Sequence, residues 1–186
     1  FGMLNFRNTN IVFVVLLAAM IIYDVNNPLS FYWYIIAGIV YSLILFWGSY
    51  DVGSNFYFDI ICSAKTDKKQ IALSFDDGPA NEFTPQVLQI LQEHNAPAAF
   101  FCIGKRVQEN EQLFKRVYDE GHLIGNHSYS HATWFDLYSA SKMSDDLKAM
   151  DDAMYKVIGR RPKLFRPPYG VTNPNIKKAV MKDINP

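Results

Sequence analysis

The chain has 186 residues, room for one ordinary domain plus a small appendage, and its 18 basic and 18 acidic side chains cancel. That balance carries no nucleic-acid footprint, so a nucleic-acid partner is not expected. Two cysteines, Cys62 and Cys102, without scaffold spacing argue against a disulfide framework. The charges are unevenly placed: Arg7 and Asp24 are the only ones between Phe1 and Tyr50. An apolar N-terminal third ahead of an ordinary remainder is the pattern of a membrane-tethered domain.

The chain starts at Phe1, with Met3 a plausible initiator just inside. Ile11 to Tyr23 is a short apolar run, extendable through Asn8, Thr9 and Asn10 into a first membrane span. A signal peptide is the competing reading, but no small-residue cleavage pattern precedes Asp24 and a second apolar stretch follows. Phe31 to Gly48 is uncharged with aromatic residues at both ends, and as a helix it spans roughly 27 Å, close to a bilayer's hydrocarbon thickness. Tyr32, Trp33, Tyr34 and Trp47 fit an interfacial belt, whereas a soluble core helix of this length would show a polar face. The expected anchor is therefore a helical hairpin within residues 1–50, its tip at 24–30, followed by a linker over 51–68. Arg7 before the first span and Lys65, Lys68 and Lys69 after the second place both ends in the cytoplasm by charge counting. The chemistry below requires the opposite side, and the catalytic domain is expected to face the envelope.

From residue 69 strands and helices alternate. Ile71 to Phe75 predicts a strand that ends at Asp76-Asp77. Thr84-Pro85 opens a helix with Thr84 as its N-cap and Val87, Leu88 and Leu91 on its apolar face, ending near His94-Asn95. Ala98 to Ile103 is the next strand, with Cys102 as a small buried hydrophobe. A helix over Gln112 to Tyr118 stops at Gly121, and His122 to Asn126 is a third strand. Met143, Leu147, Met150, Met154 and Val157 repeat at helical spacing up to Gly159. Leu164-Phe165 predicts a fourth strand and Ile176 to Met181 a last helix. This alternation predicts an α/β fold, a parallel sheet or (β/α) barrel, in which every chemically interesting cluster follows a strand and so lies on one face. Such a domain would continue past Pro186 into another strand, so a fragment is expected.

Three clusters stand out. Asp-Gly-Pro alone marks a turn, but two adjacent acids ending a buried strand are costly without a cation. Neighbouring side chains on an extended chain diverge, so one carboxylate takes a metal while the other faces the substrate. His127 and His131, separated by three residues, reach one ion from a single turn, and Asp77 supplies a third ligand. Two histidines and one carboxylate leave open positions, as in catalytic zinc sites. His94 and His122 have no such partners in the sequence and read as surface or structural. Arg166, before Pro167-Pro168, either pairs with a surface acid or, in a barrel, points at Asp76 and orients it. The backbone N–H groups of Tyr169-Gly170 are placed to face a developing oxyanion.

Taken together, Ser74-Phe75-Asp76-Asp77-Gly78-Pro79, His127-Ser128-Tyr129-Ser130-His131 and Arg166-Pro167-Pro168-Tyr169-Gly170 resemble the first three motifs of the polysaccharide deacetylases (the NodB-homology group, carbohydrate esterase family 4). Ser74 stands where that family more often has Thr. The resemblance covers residues 69–186 and implies a partial, distorted (β/α) barrel of the NodB type. It also implies a divalent metal, most often Zn2+, held by Asp77, His127 and His131, with Asp76 as general base, Arg166 tuning Asp76, and the Tyr169 N–H stabilising the oxyanion. The implied reaction removes N-acetyl groups from N-acetylglucosamine-type polysaccharide. The alternatives are an O-acetyl esterase on xylan-like glycans and a catalytically silent glycan-binding envelope protein. The family's last two motifs, with the histidine that protonates the leaving amine, do not occur in these residues, so weak catalysis is expected. No pattern here specifies an oligomeric state.

Overall fold

The computed structural model describes residues 4–184; Met3 and Pro186, on which the expectations about the chain's ends fall, lie outside the described residues. It forms two compact units, Phe1–Ala64 with Val171–Lys177, and Lys65–Gly170 with Lys178–Pro186.

In the first unit, helix α1 covers Phe6–Asn26 and α2 covers Phe31–Tyr50. Helix α1 is longer than the apolar run alone predicts, because the Asn5 side chain caps it by accepting from the Asn8 N–H at 3.0 Å. Its 21 residues reach about 31 Å, the length that a full span needs. The turn between the helices is closed by Asp24, which accepts from the Leu29 N–H and the Tyr34 hydroxyl. Along the pair, Phe13 stacks on Tyr41 at 4.0 Å, and the Tyr41 hydroxyl donates to the Asn10 side chain. Outward-facing apolar side chains stay uncovered: Ile22 is 68% exposed and Phe46 69%. Both helices are long and apolar enough to cross a membrane. After α2, Phe56 and Tyr57 close an aromatic cluster with Phe6 and Trp47, which Gly48 permits because a Cβ there would sit 2.3 Å from the Phe56 ring.

The second unit is built on three parallel strands, β1 (Leu73–Gly78), β2 (Ala98–Cys102) and β3 (Leu123–Asn126), in that spatial order. Strands laid down side by side in chain order follow the winding of a barrel, not of a doubly wound sheet. Strand β1 starts two residues later than predicted and takes in both carboxylates, while Ile71 is exposed outside it. The predicted fourth strand is reduced to one bridge, Phe165 beside Asn126. Proline at 167 and 168 removes the N–H groups that would extend the ladder.

Helix α3 (Thr84–Glu93) has Phe83, not Thr84, at its N-cap position; the Thr84 hydroxyl instead accepts from the Ala80 N–H at 2.9 Å. The stretch after β2 holds two helices, α4 (Gly104–Glu109) and α5 (Glu111–Asp119), of which only the second was legible as periodicity. Helix α6 (Ala140–Ile158) buries Met143, Leu147, Met150 and Met154 and ends at Gly159 in the left-handed conformation, φ 66°. Leu88, Leu91, Phe100, Val107, Phe114 and Val117 join Met150 and Met154 in one core. Cys102 lies in that core, fully buried, and both cysteines are free thiols. Helix α7 covers Pro174–Ile184.

Candidate functional site

The three clusters meet at the carboxyl ends of the strands. Asp76 and Asp77 separate because β1 carries a bulge there: the register to β2 shifts between Asp76 and Gly78, and Asp77 is left-handed, φ 64°. The divergence expected from simple pleating is thus obtained by a kink. Asp77 Oδ1 lies 3.4 Å from His127 Nε2 and 3.2 Å from His131 Nε2, and the three ligand atoms fall within 4.8 Å of one another. Atoms about 2.0–2.1 Å from a tetrahedral ion stand about 3.3 Å apart, so the donor set fits a zinc-sized cation.

Tautomer supports the fit. His127 Nδ1 is 2.7 Å from the Arg166 carbonyl oxygen, so it carries the proton and donates, leaving the Nε2 lone pair toward Asp77 and His131. Burial holds the His127 pKa below the usual imidazole range, which keeps the ring neutral and able to ligate.

On the other side of the bulge, Asp76 Oδ1 accepts from Arg166 Nη1 at 2.6 Å, and the same nitrogen reaches Ser74 Oγ at 3.0 Å. The guanidinium lies over the Phe101 ring, 4.0 Å from its centroid. Arg166 therefore points at Asp76 rather than at a surface acid. Tyr169 is left-handed, φ 60°, with its ring 5.0 Å from that of His131. The Gly170 N–H is taken by the Pro167 carbonyl at 3.2 Å, so of the two amides in this turn the Tyr169 N–H is the one left to consider. An open groove of about 300 Å³ joins both carboxylates, both histidines, Arg166 and Tyr169. The other two histidines stand apart: His122 accepts from the Ala98 N–H at the opposite end of the sheet, and His94 caps α3.

Among the described residues, six non-glycine positions have positive φ. Asn, Asp and His tolerate it better than other side chains, and four of the six, Asp77, Ser128, His131 and Tyr169, belong to the three clusters. Such conformations cost on the order of 1–3 kcal/mol each and persist where the surroundings over-determine them. Several supporting residues carried no sequence signal. Arg106 donates to the Asp77 carbonyl. The buried Asn126 side chain accepts from the Ser128 N–H and donates to Asp151. Asp146 accepts from the Tyr129 N–H. Apart from the Asn126–Ser128 bond, each acts between elements distant in sequence, where no local pattern records it.

Residues 63–184 match the family model described as polysaccharide deacetylase. The chain is 38% identical over 126 residues to the peptidoglycan-N-acetylmuramic acid deacetylase PdaA of Bacillus subtilis, covering 67% of this chain and 48% of that protein. It thus spans about half the length of that relative. In structure it is similar to the peptidoglycan deacetylase PdaC of Bacillus subtilis, with a TM-score of 0.57 and 38% identity, covering 60% of this chain and 55% of that one. A CE4 family pseudoenzyme from Bacillus anthracis also matches, with a TM-score of 0.57 and 28% identity, covering 63% of this chain and 41% of that one. The three-stranded parallel sheet with its helices is part of the fold these structures share.

Proposed function

The chain belongs to the polysaccharide deacetylase family, and from that premise we propose that it is a membrane-anchored, metal-dependent hydrolase. It would remove N-acetyl groups from an N-acetylhexosamine polymer of the cell envelope, with peptidoglycan the leading substrate. Residues 1–50 form the anchor, 51–68 the linker and 69–186 the deacetylase domain. The observation that carries this reading is the convergence of Asp77, His127 and His131 beside the Asp76–Arg166 pair.

Asp77, His127 and His131 would hold a divalent cation, most naturally zinc. When bound, such an ion polarises an acyl oxygen and acidifies water. Asp76 takes the proton of the attacking water. Arg166, resting on Phe101 and bonded to Asp76 and Ser74, keeps that carboxylate aimed into the groove. The Tyr169 N–H donates to the oxygen on which negative charge develops, where one such donor contributes roughly 2.7–4 kcal/mol. Departure of the amine needs a proton donor. His122 and His94 lie away from the groove, so neither is placed to serve.

The test is acetate release from peptidoglycan and from acetylated chitooligosaccharide, alongside zinc titration, using the 186-residue chain in detergent. We expect one zinc bound and slow hydrolysis. Asp76→Asn should abolish the remaining turnover, with a loss of roughly 10²-fold or more, while zinc affinity is kept. Release from acetylxylan alone would turn the reading to an O-acetyl esterase. Zinc binding with no release from any glycan would turn it to a silent binder, as the pseudoenzyme neighbour's name shows the fold permits. Full activity in the 186 residues would mean that a group within them protonates the amine.

A further inference from the structure

The loop from His127 to His131 is left-handed at two of its five residues, Ser128 at φ 66° and His131 at φ 46°. Such a backbone is held only if its polar groups are paired in that shape. The His127 N–H donates to the Cys102 carbonyl at 3.0 Å. The Ser128 and Tyr129 carbonyls accept from the Gly104 and Lys105 N–H groups, the first turn of α4, at 3.0 and 3.1 Å. The Ser128 N–H goes to the Asn126 side chain at 2.7 Å, and the His131 N–H to the Ser128 hydroxyl at 3.0 Å. Two consecutive donors at the apex are left, the Tyr129 and Ser130 N–H groups. Both point at one atom, Asp146 Oδ1, at 2.7 and 3.4 Å.

Asp146 is on α6, whose face is seated in the core by Met143, Leu147 and Met150. From the other side α4 permits no retreat, since a Cβ on Gly104 would lie 2.4 Å from the Tyr129 ring and 3.0 Å from its Cα. The loop is gripped between a fixed helix start and a fixed carboxylate. An ionised acceptor makes the stronger kind of hydrogen bond and satisfies two amides that a neutral side chain would serve less well.

We propose that Asp146 is a positioning residue for the metal centre. It holds the His127–His131 loop in the left-handed shape that presents both imidazoles to one ion, and it touches neither ion nor substrate. This rests on Asp77, His127 and His131 being metal ligands. The test measures the zinc dissociation constant by competition with a chromophoric chelator, on the full 186-residue chain in detergent. Wild type is compared with Asp146→Ala, Asp146→Asn and Asp145→Ala, the last altering an exposed neighbour on the same helix. Asp146→Ala should weaken zinc about 10- to 100-fold, the range for groups that orient metal ligands. Asp146→Asn, which keeps an acceptor oxygen, should lose less, and Asp145→Ala should stay within about twofold of wild type. Urea midpoints of the metal-free proteins are read in parallel. A merely structural Asp146 would lower the midpoint and leave the zinc constant of the folded protein unchanged. An Asp146→Ala protein that binds zinc within twofold of wild type overturns the proposal; if that variant does not fold, the same result for Asp146→Asn does so. Wild-type protein that binds no zinc overturns the ligand reading itself, and the two failures are told apart by that first titration.

Discussion

His127 shows how one residue's burial becomes a pH response. Its pKa is lowered, chiefly by burial, so the folded, metal-free protein binds fewer protons than the unfolded chain as pH falls below about 6.5. Stability then rises with pH across this window and is lost on acidification. The urea midpoint of metal-free protein should fall between pH 7.5 and 5.5, and His127→Gln should flatten that slope. An unchanged slope in His127→Gln would remove this account. At the same scale, the proposed site residues are the most legible part of the chain. Asp76 and Asp77 at the end of β1, His127 and His131 after β3, and Arg166 and Tyr169 after the Phe165 bridge are chemically rare neighbours, and the structure brings them into one groove. What the sequence left unread is how they are held. The Asp77 bulge is set by its register against β2, and Arg106 and Asp146 grip the two loops across 16 to 29 residues, which no local spacing records.

Among elements, the methionine stripe of α6 and the apolar run of β2 announce themselves through periodicity and composition. Helix α4 does not, because its six residues make less than two turns. The fourth strand failed for a different reason: Leu164-Phe165 has strand character, but prolines deny it a ladder. Strand pairing itself carries a functional consequence at Gly125. It stands opposite Phe101 in the β2–β3 register, and a Cβ there would lie 2.4 Å from the Phe101 ring. That ring is the seat of the Arg166 guanidinium. Gly125→Ala must therefore displace Phe101, then Arg166, then the aim of Asp76. We expect a cost of about 1–3 kcal/mol in stability from overpacking. Acetate release should fall roughly tenfold or more, since small misplacements of reacting groups are expensive. Zinc affinity should hold, because the ligand set does not pass through Phe101. Unchanged turnover in a folded Gly125→Ala protein would break this chain of contacts.

For the whole molecule, the proposed anchor raises the question of which side of a membrane the deacetylase domain would occupy. Lys65, Lys68 and Lys69 after the second apolar helix favour the cytoplasm, yet an N-acetylated envelope polymer lies on the other side. Folded domains are translocated largely irrespective of such charges, so the substrate argument is the stronger. The protein carries its own reporter for the answer. Cys62 is exposed and sits between the second apolar helix and the first strand. Cys102 is fully buried, and burial pushes its thiol pKa up to about 12, so in the folded protein it presents almost no thiolate. A thiol reagent should consequently modify one cysteine in the native protein and two after denaturation. A membrane-impermeant maleimide given to cells with a sealed inner membrane should label Cys62 if the domain faces the envelope, with Cys62→Ser abolishing the signal. Labelling that appears only after lysis would put the domain in the cytoplasm and detach this site from envelope polysaccharide altogether.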